Sequence, residues 1–199
     1  MKRYDITQPL FSCQVFPGDP RPEKEQVMHI ADGDVCNLTK FAMCAHNGTH
    51  VDAPYHFYEN GKKIGEVALE KFIGRAFVAD HEGDVTAEDA VNMLVKAREY
   101  DVRAAKRILI KGKSTVTEEA ARVFADAGVY LIGNESQTVG PEDAPREVHL
   151  ILLGAEVVLL EGIRLEQVPE GMYLLNCAPI NLGDVDGAPC RAVLIEGLV

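Results

Sequence analysis

Cationic residues are scarce in this 199-residue chain: 20 Lys and Arg stand against 31 Asp and Glu, a formal net charge of −11. Nucleic-acid binding needs clustered Lys and Arg to neutralise phosphates. The densest basic stretch here is Lys111-Gly112-Lys113, so no nucleic-acid partner is expected. Long apolar runs are missing too: none approaches the roughly 18 residues of a membrane span. The opening residues Met1 to Asp5 lead into no apolar stretch of the kind a secretory signal carries. Neither membrane insertion nor export is therefore expected. Cysteine is sparse, at Cys13, Cys36, Cys44, Cys177 and Cys190, an odd number with no Cys-x-x-Cys pair. That pattern argues against a disulfide framework and fits the reducing cytoplasm.

What is present is ordinary globular material, 47% apolar and 26% charged. A chain of this length buries a sizeable core without cross-links. It shows no repeat or linker, so residues 1–199 are expected to form a single domain. Residues 4–16 read as an extended opening segment, and Pro17-Gly18-Asp19-Pro20 as a turn. Residues 26–38 and 72–80 read as strands. Thr86 precedes an acidic first turn, with Val91, Leu94, Val95 and Arg98 at helical spacing. A second helix starts at Thr117, carries Ala121, Phe124 and Ala125 on one face, and stops at Gly128. A third follows Asp143, carries His149 and ends at Gly154. The short apolar runs 108–110, 129–132 and 157–160 read as buried strands, and two more strands are expected between Tyr173 and Ile195, around Asp184-Val185-Asp186-Gly187. The order shows no strict β-α-β alternation, and the expectation is a mixed sheet with helices packed on it.

The chemistry concentrates in His46-Asn47-Gly48-Thr49-His50-Val51-Asp52-Ala53-Pro54-Tyr55-His56. Three imidazoles and a carboxylate within one short segment are the donor types that zinc and similar divalent metals take. Gly48 and Pro54 disfavour a helix here. In an extended chain His46, His50, Asp52 and His56 share one face, with His50 and Asp52 roughly 6–7 Å apart at Cα. A straight chain would hold His46 and His56 about 33 Å apart, so the segment must bend, and Gly48 and Pro54 are where it can. An inward carboxylate beside these rings needs a charge partner, which a metal supplies. Two other polar residues lie among apolar ones, His149 in Val148-His149-Leu150 and Glu161 after Val157 to Leu160. On composition alone they read as a core histidine and a strand-end charge.

The segment His46 to His56 matches the pattern His-x-Gly-Thr-His-x-Asp-x-Pro-x-His and so resembles the cyclase family. Bacterial kynurenine formamidases (arylformamidases) are members of that family, and isatin hydrolases are relatives. Tyr4-Asp5-Ile6-Thr7, Phe16-Pro17-Gly18-Asp19 and the closing Asp186-Gly187-Ala188-Pro189-Cys190-Arg191-Ala192-Val193 are similar to family segments, so the likeness runs over nearly the whole chain. The resemblance implies an α/β fold, a single-domain swivelling β/β/α-type sandwich, assembled as a homodimer or homotetramer. It implies two divalent cations, Zn2+ or Mn2+. His46, His50 and Asp52 would hold one; Asp52, His149 and Glu161 would hold the other, with Asp52 bridging. His56 would be the acid/base, and Phe16 would line the substrate pocket in the place of a family tryptophan. The substrate would be a small molecule. The reaction implied is hydrolysis of an amide C–N bond by metal-generated hydroxide, with N-formylkynurenine of tryptophan catabolism as the reference aryl formamide. Phe16, in a chain without tryptophan, and Gly133-Asn134-Glu135-Ser136-Gln137-Thr138, in place of Gly-x-Asp-x-x-Ser, depart from the family. Both bear on the substrate and keep a cyclic amide, imide or lactone open. A binding protein with a structural metal, and a Cys44 thiolate beside His46, are the remaining alternatives.

Overall fold

Along Ala76-Phe77-Val78-Ala79 successive side chains enter two different cores, as the period of two in a strand requires. Ala76 and Val78 belong to one core, Phe77 and Ala79 to the other. The same split recurs at Leu109 against Ile108 and Ile110, and at Leu160 against Leu159. A sheet apolar on both faces must be covered on both.

The structure is a computed structural model and describes residues 1–197. In chain order the elements are β1 (Lys2–Asp5), β2 (Glu23–Met28), β3 (Leu38–Ala42), β4 (His50–Asp52), β5 (Ile73–Asp80), β6 (Gly83–Val85), α1 (Ala87–Tyr100), β7 (Arg107–Lys111), β8 (Ser114–Val116), α2 (Glu118–Asp126), β9 (Leu131–Asn134), α3 (Arg146–Gly154), β10 (Val158–Glu161), β11 (Gly171–Asn176), β12 (Gly187–Pro189) and β13 (Val193–Glu196). Nine strands form one curled mixed sheet in the order β1-β13-β11-β5-β7-β9-β10-β4-β12. Its centre, β5-β7-β9-β10, is parallel, and α1, α2 and α3 are the crossovers that join those strands. A β-α-β alternation therefore does exist; the short parallel pair β6-β8 interrupts it in the sequence and hides it. The helices cover the core built around Phe77, Ile108, Ile132 and Leu159. The other core lies inside the curl of the sheet, around Tyr4, Val51, Val78, Leu160 and Leu194.

Several expectations need correction. Residues 26–38 are not one strand but parts of the hairpin β2-β3, with the turn Ile30–Asp32 between. The helix starting at Thr86 forms as expected: the Thr86 hydroxyl accepts from Asp89 N at 3.2 Å and the Asp89 carboxylate accepts from Thr86 N at 2.9 Å, a reciprocal cap. Its buried face, however, is Ala90, Met93, Leu94 and Ala97, while Val91 and Val95 face outward. Between Tyr173 and Ile195 there are three strands, because Gly187–Pro189 pairs with β4.

That pairing positions the site. β4 lies between β10 and β12, antiparallel to both. Its register sets His50 opposite Glu161 and Asp52 opposite Gly187. His50, Glu161 and, two residues along, Asp52 then project from one face of the sheet. Thr49 anchors the start of β4 by donating to Gly162 O at 2.7 Å, and its hydroxyl accepts from Gln8 N at 2.9 Å. No helix among the described residues is long and apolar enough to cross a membrane.

Candidate metal centre

The bends expected at Gly48 and Pro54 are present. Gly48 has φ +68°, a left-handed conformation that glycine adopts without a Cβ clash. Pro54 opens the tight turn Pro54–His56. Together they fold the segment back on itself, so that the His46 and His56 rings stack with centroids 4.0 Å apart. Gly187 makes room for this, since a Cβ there would come within 2.8 Å of His46 Cε1.

Each ring has one nitrogen occupied and the other turned inward. His50 Nδ1 donates to Gly48 O at 3.0 Å, which leaves Nε2 to face Asp52 Oδ1 at 3.3 Å and Glu161 Oε2 at 3.5 Å. His149, on α3, donates from Nδ1 to Pro145 O at 2.8 Å. Its Nε2 faces Glu161 Oε1 at 3.4 Å and Asp52 Oδ2 at 3.7 Å, and Phe57 stacks on the ring at 4.7 Å. His46 Nε2 meets Asp186 Oδ2 at 2.6 Å, while Nδ1 meets Asp52 Oδ1 at 2.8 Å. A ring tied through its outer nitrogen is oriented, and its inner nitrogen, once it gives up its proton, offers a lone pair to a cation.

Asp52 and Glu161 are buried. Glu161 Oε1 accepts from Val139 N at 2.9 Å. Asp52 Oδ2 is buried without a hydrogen-bond partner, although His149 Nε2 and His56 Nε2 point at it from 3.7 and 4.0 Å. Two buried carboxylates side by side require compensating positive charge. In the protein alone, protons on the imidazoles supply it. Burial disfavours the charged form of His46, but the Asp52 charge and the contacts with Asp186 and Asp52 outweigh this and raise its pKa to about 11. At His50 burial is likewise outweighed, by Asp52 and Glu161, and the value rises to about 9. Burial opposes ionisation of Asp52, yet His46 and His50 hold it well below the usual carboxylate range. The Glu161 carboxyl is lowered as well, with burial and the Asp52 charge opposing and His149 and His50 prevailing.

Three sets of donor atoms lie close enough to share a cation: His46, His50 and Asp52; Asp52, His149 and Glu161; and the less buried His46, His56 and Asp186, each set within 4.8 Å of one another. The first two share the buried Asp52. Nitrogen and carboxylate donors suit borderline divalent metals. The unpartnered Asp52 Oδ2 and the inward lone pairs fit such ions. Every residue expected to act as ligand or acid/base is thus gathered at one place. Phe16 is not among them. It lines a cavity of about 620 Å3 with Lys113, Gln137 and Arg164, to which none of the ligand or acid/base candidates contributes. Cys44 belongs to none of the donor sets. Sequence reasoning missed Asp186. Its carboxylate meets His46 and lies 3.3 Å from His56 Nδ1, and these contacts hold its carboxyl below the ordinary range. Its one signal was that it opens the family-like closing segment.

A family model described as Putative cyclase matches residues 4–141. The chain belongs to the cyclase family. A kynurenine formamidase of Erythrobacter litoralis is 30% identical over 207 residues, covering 97% of this chain and 93% of its own. That of Bacillus anthracis is 28% identical and covers 97% of each. Among solved structures, a potential metal-dependent hydrolase with cyclase activity superposes with a TM-score of 0.81 at 27% identity, covering 97% of this chain and 96% of that one. Isatin hydrolase A from Labrenzia aggregata shares the fold, with a TM-score of 0.81 at 20% identity over 98% of this chain and 94% of its own. Within this cyclase-family chain Glu135, which departs from the family pattern, has a structural task. Its carboxylate accepts from Gly112 N at 2.7 Å and Leu165 N at 2.8 Å, tying together the loops after β7 and β10.

Proposed function

We propose that this chain hydrolyses the C–N bond of a small amide, an aryl formamide such as N-formylkynurenine, with divalent metal bound at the centre around Asp52. The observation that carries this reading is two N/O donor sets sharing one buried carboxylate, with a further histidine beside them. His46, His50 and Asp52 hold one cation; Asp52, His149 and Glu161 hold the second; zinc and manganese both suit these donors. When bound, the metal supplies Lewis acidity and a water whose pKa falls towards about 7. The protein's own share is orientation and proton transfer. Gly48 O and Pro145 O fix the His50 and His149 rings through their Nδ1 atoms. His56 is part-exposed, with Nε2 towards Asp52, and is the residue placed to act as acid/base. It gives a proton to the leaving arylamine nitrogen as the C–N bond breaks, while the elements of water add to yield formate and the free amine. Phe16, on the cavity it shares with Gln137 and Arg164, would contact the aryl part of the substrate.

A purely structural metal is disfavoured by the donor set. Structural zinc sites are closed and commonly rich in cysteine, whereas none of the sets here includes a cysteine. A second reading keeps this site and takes a cyclic amide, imide or lactone; the replacement of the family tryptophan by Phe16 favours it. The cysteines are free thiols, which supports a cytoplasmic location. A homodimer or homotetramer is supported by the β2-β3 hairpin, whose Val27, Leu38 and Phe41 are exposed.

The deciding experiment is hydrolysis of N-formylkynurenine by protein loaded with zinc or manganese, beside a chelator-treated control. Chelator-sensitive turnover at an ordinary enzyme rate supports the formamidase reading. Bound metal without turnover transfers the site to the cyclic substrates.

A further inference from the structure

We infer that Asp186 is a positioning residue, one carboxylate oxygen of which fixes both the ring of the metal-ligand candidate His46 and the ring of the acid/base His56. The inference rests on the function proposed above and assigns a part to a residue that this function leaves unused.

The argument is geometric. Asp186 Oδ2 lies 2.6 Å from His46 Nε2 and 3.3 Å from His56 Nδ1. The two rings stack nearly parallel, with an interplanar angle of 25°, so their outer nitrogens converge on that oxygen. An ionised carboxylate only accepts hydrogen bonds. The His46 nitrogen, hydrogen-bonded to that oxygen, therefore carries its proton, and the His56 nitrogen 3.3 Å away does so as well, because a lone pair turned on an anionic oxygen would be repelled. When a cation displaces the proton that His46 Nδ1 shares with Asp52 Oδ1 at 2.8 Å, His46 is thereby held as the Nε2–H tautomer with Nδ1 as the ligating atom. His56 is held as the Nδ1–H tautomer, which leaves Nε2, the atom turned towards Asp52 Oδ2, as the position where a proton is taken up or released. His50 and His149 take their fixed orientation from backbone carbonyls. His46 and His56 meet no such carbonyl through these nitrogens, and Asp186 supplies the acceptor. The chain also brings Asp186 there by more than its side chain: Ala53 N donates to Asp186 O at 2.9 Å, which fastens its backbone beside the end of β4.

The test compares Asp186→Ala and Asp186→Asn with the parent protein in the zinc-loaded form, since zinc is diamagnetic. Imidazole 15N–1H spectra of the parent should show His46 protonated at Nε2 and His56 at Nδ1, and Asp186→Ala should show mixed tautomers at His56. Chelator competition should show zinc affinity reduced about 10–100-fold. At saturating zinc, kcat for an aryl formamide should fall about 10–100-fold. At saturating zinc, where weaker binding through His46 is made good, the double variant with His56→Ala should be no slower than His56→Ala alone, because the remaining effect of Asp186 on kcat passes through the His56 ring. Unchanged tautomers with unchanged affinity overturn the inference. So do multiplicative rate losses in the double variant, or loss of a further zinc equivalent, which would make Asp186 a ligand. Asp186→Asn keeps the side-chain volume and serves if the alanine variant does not fold. If no aryl formamide is turned over, the proposed function fails while the spectra and the affinities still decide the role of Asp186.

Discussion

Asp52 is the side chain that the two more buried donor sets share, and its two oxygens have different surroundings. Oδ1 meets His46 and His50, while Oδ2 faces His149 and His56 without a hydrogen bond. Asp52→Asn keeps the shape and removes the charge, and it is expected to abolish metal retention along with activity. Metal analysis after dialysis checks this, and a variant with its full metal complement would contradict the bridging role. His56→Ala separates the two properties: metal should stay while kcat falls about 10²–10⁴-fold, and normal turnover would remove His56 from the mechanism. The pKa values add a third expectation. Below about 9 His50 carries a proton in the metal-free protein, and His46 does so below about 11. Ligation needs the neutral rings, so binding at pH 7 must displace protons, on the order of two per molecule. Apparent zinc affinity should therefore rise steeply from pH 6 to 9, and calorimetry in buffers of different ionisation heat should report the release. An affinity flat across that range would show that the rings are already neutral.

At the scale of elements, the arrangement depends on β4 having close neighbours on both sides. Gly187 on β12 sits opposite Asp52, and a Cβ there would come within 2.7 Å of Val51 O as well as close to His46. Gly187→Ala should therefore splay the β4-β12 pair, cost about 1–3 kcal/mol and weaken metal binding; urea unfolding and chelator competition measure the two effects. A variant as stable and as tight-binding as the parent would show that the pair relaxes freely. Most elements were legible in the sequence, for identifiable reasons. Capping residues at Thr86 and Thr117 and the apolar runs of β7, β9 and β10 mark elements by purely local chemistry. Burial by small residues was not legible: α1 buries Ala90 and Ala97 in preference to Val91 and Val95, and hydropathy ranks those the other way. The hairpin β2-β3 is exposed along both strands, so no alternation announces it. The centre was legible for His46 to His56 because its donors share one short segment. His149 and Glu161 needed the family likeness, since a core histidine and a strand-end acid look the same in composition. Asp186 reaches the centre only through the β4-β12 pairing, a long-range contact with no local signature.

Across the whole molecule the main open surface is that hairpin. Two strands standing apart from the main sheet, with Phe41 making an edge contact to Phe11, are marginal without a partner surface. Sedimentation should return at least twice the mass of one chain, and Phe41→Asp should shift it towards the monomer; a parent protein that is monomeric at micromolar concentration would count against assembly through this arm. The position of β4 has a consequence in time as well. The strands on either side of it, β10 and β12, are synthesised long after it. At about 5–20 residues per second, on the order of ten seconds pass between the emergence of His56 and that of Asp186. Throughout that interval the donors of the early segment hang from an unfinished chain. Biosynthesis therefore delivers the centre in two instalments: the segment from His46 to His56 comes first, and His149, Glu161 and Asp186, which complete it, come last.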